Sequence, residues 1–207
     1  MELKQMMVGS LGTNCYLMMN SDTKEAVVVD PGGSPQKIQQ AIAALGGSLT
    51  SILLTHGHFD HILAIPELLD AYEDVKVYAL DQEEDLLVSP SKNCTSMIGR
   101  SCIVEPDVLV RDGQKLELAG ISIEVIATPG HTKGSCCYYL PKENLLFSGD
   151  TMFAESVGRT DLPTGSMGEL VRSIRKLIEM LPGETIVYPG HAHSTSIEHE
   201  KRYNPFA

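Results

Sequence analysis

Residues 55–61 read Thr55-His56-Gly57-His58-Phe59-Asp60-His61, which places three imidazoles and a carboxylate within six positions directly after the apolar run 52–54. An apolar run that stops beside glycine and an ionisable side chain recurs three times. Residues 121–126 lead to Pro129-Gly130-His131, 145–147 to Gly149-Asp150, and 186–188 to Pro189-Gly190-His191. Imidazole and carboxylate are ligands that zinc, iron and manganese accept, and glycine lets the backbone turn tightly enough to aim its neighbour. So many polar groups beside a buried strand are costly unless something satisfies them. Neighbouring strand ends of a sheet can bring all four loops to one point.

The seven donors His56, His58, Asp60, His61, His131, Asp150 and His191 are too many for one tetrahedral ion and suit two. With Asp150 bridging, each ion has three further ligands and coordination left over for water. Two ions about 3.5–4 Å apart can hold a hydroxide, lower its pKa toward about 7 and polarise a carbonyl. The pattern therefore points to hydrolysis at a pair of divalent ions, zinc in the first place, with Asp60 and Asp150 as the carboxylates at the reacting centre. Iron or manganese would fit the same ligands, and iron would open oxygen chemistry. Asp30 reads either as a hydrogen-bond partner of the histidine loop or as the start of an Asp-Pro-Gly turn. Thr55, Ser148 and Thr151 flank ligands and read as backbone caps. Lys133, Arg159 and Lys201 read as surface cations before anion contacts, and His193 and His199 are not expected to be ligands. Nothing near Cys136 lowers its pKa.

These residues need elements to hold them. Short β-type runs at 3–8, 15–19 and 26–29 precede the turn Asp30-Pro31-Gly32-Gly33. Ser34 as N-cap, Pro35 behind it, Ile38, Ile42 and Leu45 on one face, and a stop at Gly46-Gly47 predict a first helix. A strand at 51–55, a helix at 62–72 with Pro66 near its start, a strand at 75–80 and a brief helix at 81–88 follow. Residues 89–106, with Pro90, Asn93 and Gly99 and no periodicity, read as a long loop and a candidate lid. Strands are predicted at 115–118, 121–126, 136–140, 144–147 and 185–188. Between the last two, Ser166 and Glu169 form a capping box for a helix whose apolar face is Leu170, Ile174, Leu177, Ile178 and Leu181. Two β-rich halves, each with amphipathic helices, predict two packed sheets with helices outside. Cys136 and Cys137 must point to opposite faces of their strand, so both cannot face inward.

The 207 residues fit one domain. Sixteen Lys plus Arg against 27 Asp plus Glu give a formal charge of -11, the wrong sign for lying along phosphates or an anionic membrane. Neither nucleic acid nor membrane is therefore an expected partner. The five cysteines have no regular spacing and no CxxC pair, so they read as core residues and not as a disulfide framework. With no secretory leader pattern at the N-terminus and no run near the roughly 18 apolar residues of a membrane span, a reducing cytoplasm is the expected location.

Thr55 to His61, Thr128-Pro129-Gly130-His131-Thr132, Phe147-Ser148-Gly149-Asp150-Thr151 and Pro189-Gly190-His191 together resemble the metallo-β-lactamase-fold hydrolases across almost the whole chain. Asp30-Pro31-Gly32-Gly33, Gly158-Arg159-Thr160-Asp161 and Glu200-Lys201-Arg202-Tyr203-Asn204-Pro205-Phe206 resemble the short bacterial glyoxalase II-type, hydroxyacylglutathione hydrolase-like branch. The resemblance implies an α/β fold, a four-layer αβ/βα sandwich of two mixed sheets flanked by helices, with the site at one sheet edge. It assigns His56, His58 and His131 to one metal, Asp60, His61 and His191 to a second, and Asp150 to both. It also implies hydrolysis of a small acyl thioester, such as S-D-lactoylglutathione, to a carboxylate and a thiol.

Full-length glyoxalase II enzymes carry a C-terminal helical domain that helps hold glutathione. The expectation here is a single domain over 1–207 without it. His193 stands where related short proteins more often carry a Gly-Pro-containing sequence. The main rival is a persulfide dioxygenase, which looks similar, shares the Gly-Arg-Thr-Asp segment and uses one iron at the positions matching His56, His131 and Asp150. Lactonase or other ester hydrolysis, and a non-enzymatic metal-binding protein, stand behind it. Flavodiiron oxygen reductases carry glutamate where His58 stands.

Overall fold

A computed structural model describes residues 1–207, and its first strands show how one chain builds a layered core. Strand β1 (Glu2–Val8) is an edge strand with most of its side chains in solvent. Every residue of β2 (Thr13–Met19) is buried, and its side chains alternate between two cores. Cys15, Leu17 and Met19 pack on one face, Tyr16 and Met18 on the other, as the period of two requires. β3 (Glu25–Val29) continues this, with Ala26 and Val28 on the first side and Val27 and Val29 on the second. Helix α1 (Pro35–Ala44) lays Ile38, Ala41 and Ile42 on the outer face, and β4 (Ser48–Leu53) returns parallel to β3. Next come α2 (Phe59–Ile62), α3 (Ile65–Ala71), β5 (Lys76–Leu80), α4 (Glu84–Leu87) and β6 (Val108–Val110). The first sheet runs β1-β2-β3-β4-β5-β6, antiparallel over its first three strands and parallel from β3 onward.

The second half follows the same plan. β7 (Lys115–Leu118), β8 (Ile121–Ala127), β9 (Cys136–Leu140) and β10 (Leu145–Gly149) form an antiparallel meander. A small hairpin of β11 (Met152–Phe153) and β12 (Ser156–Val157) follows. Helix α5 (Met167–Met180) then crosses over to β13 (Ile186–Pro189), which pairs parallel with β10, and β14 (Thr195–Ser196) and α6 (Ile197–Tyr203) complete the chain. The second sheet is ordered β14-β13-β10-β9-β8-β7. Between the sheets lie Tyr16, Phe147 and Tyr138, and on the outer face of the second sheet Ile126 and Leu146 share a core with Ile174 and Leu177 of α5. The result is the expected four-layer αβ/βα sandwich.

Several expectations change in detail. Ser34 does not cap α1 with its side chain: it sits at φ 52°, and its Oγ accepts a hydrogen bond from the backbone N–H of Gly9. The helix expected at 62–72 is two helices. The first begins at Phe59 inside the histidine motif, and Pro66 falls in the first turn of the second. Cys136 and Cys137 do point to opposite faces, but both faces are covered and both residues are fully buried. The segment read as a lid is tied down from within. Asn93 is fully buried, and its amide donates to the carbonyls of Leu87 and Cys102 while its Oδ1 accepts from Thr95. Its own carbonyl accepts from Phe59 N–H, so the segment forms a wall beside the histidine loop.

Candidate metal centre

The parallel strands β3, β4 and β5 all end at the same sheet edge, and a polar side chain follows each of them. After β3 comes Asp30, after β4 the loop Thr55–His61, and after β5 the acidic turn with Glu83. In the second sheet the parallel pair β10 and β13 ends at Gly149-Asp150 and Gly190-His191, with Gly149 registered against Pro189. The close approach of these two ends excludes any side chain at position 190. A Cβ on Gly190 would lie 2.2 Å from Asp150 Oδ1 and 2.8 Å from His61 Cε1.

All seven residues singled out in the sequence meet at this edge. His56 Nε2, His58 Nδ1 and His131 Nε2 form one group, with His131 Nε2 2.8 Å from His58 Nδ1 and 3.2 Å from His56 Nε2. Nitrogens bound to one tetrahedral zinc at about 2.0–2.1 Å would stand about 3.3 Å apart, close to this spacing. Asp60, His61 and His191 form a second group, in which Asp60 Oδ2 lies 3.0 Å from His191 Nε2 and 3.6 Å from His61 Nε2. Asp150 stands between the groups, 3.6 Å from His131 Nε2 on one side and 3.5 and 3.7 Å from His61 and His191 Nε2 on the other. His193 is exposed, and His199 pairs with Glu155, away from the cluster.

The rings are aimed from behind. His131 Nδ1 donates to the carbonyl of Arg159 at 2.7 Å, and His61 Nδ1 donates to Asp30 Oδ2 at 3.0 Å, which turns each Nε2 toward the centre. Asp30 is itself fixed by the backbone N–H and the hydroxyl of Thr55. Both readings of Asp30 hold: its side chain is a partner of the histidine loop, and its carbonyl accepts from Gly32 N–H in the turn. The side chain of Arg159 is paired with Asp161 in solvent.

Electrostatics separates the two groups. Burial, reinforced by neighbouring imidazoles, pushes His56 well down and His58 to about 3, and burial also lowers His131, so this group is neutral with free lone pairs. Burial also opposes charge on His61, yet Asp60, Asp150 and Asp30 outweigh it and lift its imidazolium to about 10. The hydrogen bond that Asp60 accepts from it raises His191, while His61 and His191 hold the Asp60 carboxyl well below the usual range against its burial. Three carboxylates thus converge where a cation is needed. Buried His61 Nε2 and Asp150 Oδ1, 3.5 Å apart, have no hydrogen-bond partner within the chain. Such orphans are rare in native interiors, and a divalent ion between the groups would satisfy both. The residues present therefore fit a metal centre.

Sequence reasoning missed Glu83. This carboxylate is buried and accepts from the backbone N–H groups of Gly57 and Gly134 and from the Thr132 hydroxyl, joining the His56–His58 loop to the His131 loop. Burial pushes it up to about 7 against the pull of these three donors. Its position just past the third parallel strand was the available signal, hidden in the acidic run Asp81-Gln82-Glu83-Glu84-Asp85.

Comparison with known proteins agrees with the geometry. The model of the metallo-beta-lactamase superfamily matches residues 8–191. The chain is 36% identical over 208 residues to the probable metallo-hydrolase YqgX of Bacillus subtilis, covering 100% of this chain and 97% of that one. It is 32% identical over 209 residues to the hydroxyacylglutathione hydrolase GloC of Haemophilus influenzae, covering 100% and 98%. Among solved structures it is similar to the BLEG-1 B3 metallo-beta-lactamase, with TM-score 0.92, 39% identity and 99% of each chain covered. It is also similar to TTHA1623 in a di-iron-bound form, with TM-score 0.85, 33% identity and 99% and 100% covered. ETHE1 from Myxococcus xanthus matches with TM-score 0.80 at 32% identity, covering 99% of this chain and 84% of that one. With its His- and Asp-bearing strand ends, its layered sheets and a family match spanning both, the chain belongs to the metallo-beta-lactamase superfamily.

Proposed function

We propose that this protein is a dinuclear metal hydrolase, zinc-dependent in its simplest form, that cleaves a small acyl thioester. The observation that carries the reading is the pair of ligand groups meeting at Asp150. His56, His58 and His131 would hold one ion, Asp60, His61 and His191 the other, with Asp150 shared between them. When bound, such ions supply a hydroxide nucleophile at neutral pH and polarise an acyl carbonyl. Hydrolysis adds hydroxide to the acyl carbon, breaks the C–S bond and yields a carboxylate and a thiol. The proton of the added hydroxide ends on the departing sulfur, and Asp60 and Asp150, both partly exposed at the opening, are the carboxylates at the reacting centre. The similarity to GloC supports a hydroxyacyl thioester as the substrate class. The net charge of -11 weighs against nucleic acid or anionic membrane as a partner.

A second reading, an iron-dependent persulfide dioxygenase, is supported by the likeness to ETHE1. Replacing Asp150 with Ala tests the first. The variant should lose metal and thioester turnover together, and full turnover in Asp150→Ala would contradict the assignment. Oxygen uptake with a glutathione persulfide by iron-loaded protein, with no thioester turnover, would favour the second reading.

A further inference from the structure

Strand β2 reaches across from the first sheet to the second ligand group through two adjacent residues. The Thr13 hydroxyl donates to Asp60 Oδ2 at 3.0 Å, the same oxygen that faces His191 Nε2. Asn14 encloses the His191 turn. Its backbone N–H donates to Gly190 O at 2.7 Å, and its Nδ2 donates to Pro189 O at 3.0 Å and Ala192 O at 2.9 Å. Its Oδ1 accepts from Gln5, so the side chain has no spare capacity to reorient. Thr13 and Asn14 are both buried, at 0% and 1% exposure. The turn they hold is strained, because Ala192 sits at φ 64°, a conformation that non-glycine residues keep only when their surroundings over-determine it. The other ligand group has a different brace: Glu83 joins Gly57 to Thr132 and Gly134 and touches neither Asp60 nor His191.

We infer that Thr13 and Asn14 are positioning residues for the second ion alone, setting its affinity through Asp60 and His191 without touching it. The inference rests on the dinuclear reading above. It gives the two ions separate supports, so the second can be weakened while the first is kept.

The test is Zn2+ titration of metal-free protein against a competing chelator, with affinity as the readout and no assay of turnover. In a His58→Ala background, which leaves the second group intact, adding Thr13→Val or Asn14→Ala should weaken Zn2+ binding about 10-fold or more, the usual effect of losing a partner behind a ligand. Thr13→Ser, which keeps the hydroxyl, should restore it. In a His191→Ala background, which leaves the first group, the same Thr13→Val change should alter binding less than about 2-fold, well below that range. Equal weakening in both backgrounds, or none in either, would overturn the inference. Thr13→Val is nearly isosteric and keeps the test valid if Asn14→Ala fails to fold. Should the unmutated protein bind fewer than two Zn2+, the dinuclear reading itself fails, and that outcome is distinct from loss of the brace.

Discussion

At the scale of single residues, the centre depends on groups that stand behind the candidate ligands. Asp30 holds His61 by Nδ1 and is held in turn by Thr55. Asp30→Asn keeps the shape but can present an amide N–H to the ring, so zinc affinity should fall about 10- to 100-fold, read by chelator competition; unchanged affinity would show that the ring needs no such partner. Glu83 accepts from three donors. In Glu83→Gln one of them faces an NH2 group, so the metal-free protein should lose about 1–3 kcal/mol in urea denaturation, and a neutral result would mean the loops are joined by other contacts. The seven candidate ligands were legible in the sequence because ligand chemistry and strand ends coincide there. Of their supports only Asp30 was singled out, as one of two readings. Asn14 meets its partner Pro189 across 175 positions, and a lone Glu in an acidic run looks like surface until the sheet edge is known.

At the scale of elements, the longer strands were readable to within a residue or two, except β4, which starts three residues before the expected 51–55, and α5 was readable too. Its Ser166 side chain accepts from Glu169 N–H, which is half of the expected capping box, while Ser166 N–H goes not to the Glu169 carboxylate but to Gly130 O beside His131. Ser166→Ala should cost about 1 kcal/mol in denaturant unfolding; no change would mean that the backbone tie alone fixes the helix start. Elements of two or three residues, β6, β11, β12 and β14, are too short to display a period, and none was read from sequence. The segment 89–106 looked like a lid because it has no periodicity, but irregular backbone can be pinned by one buried amide. Hydrogen exchange should find the amides of Phe59, Thr95 and Cys102 protected, and Asn93→Ala should release them together. Rapid exchange there in the unmutated protein would restore the lid.

At the scale of the whole molecule, two sheets are sealed by helices so completely that even adjacent strand residues are both interior, as Cys136 and Cys137 are. All five cysteines are free and buried. Burial pushes the Cys137 thiol up to about 11 and raises that of Cys136 well above its ordinary value. A thiol reagent at pH 8 should therefore label all five only after denaturation, and fast labelling of native protein would contradict the packing. No helix is long and apolar enough to cross a membrane. The layers leave one edge where both sheets end their parallel strands, and the unpartnered buried atoms His61 Nε2 and Asp150 Oδ1 are among the side-chain atoms that lie there. The most direct test of two ions joined by Asp150 is metal content per chain in protein purified without added metal, paired with thioester hydrolysis on the same sample. Close to two ions, zinc in the simplest case, with measurable turnover is the predicted result; a single iron with no turnover would contradict the dinuclear hydrolase.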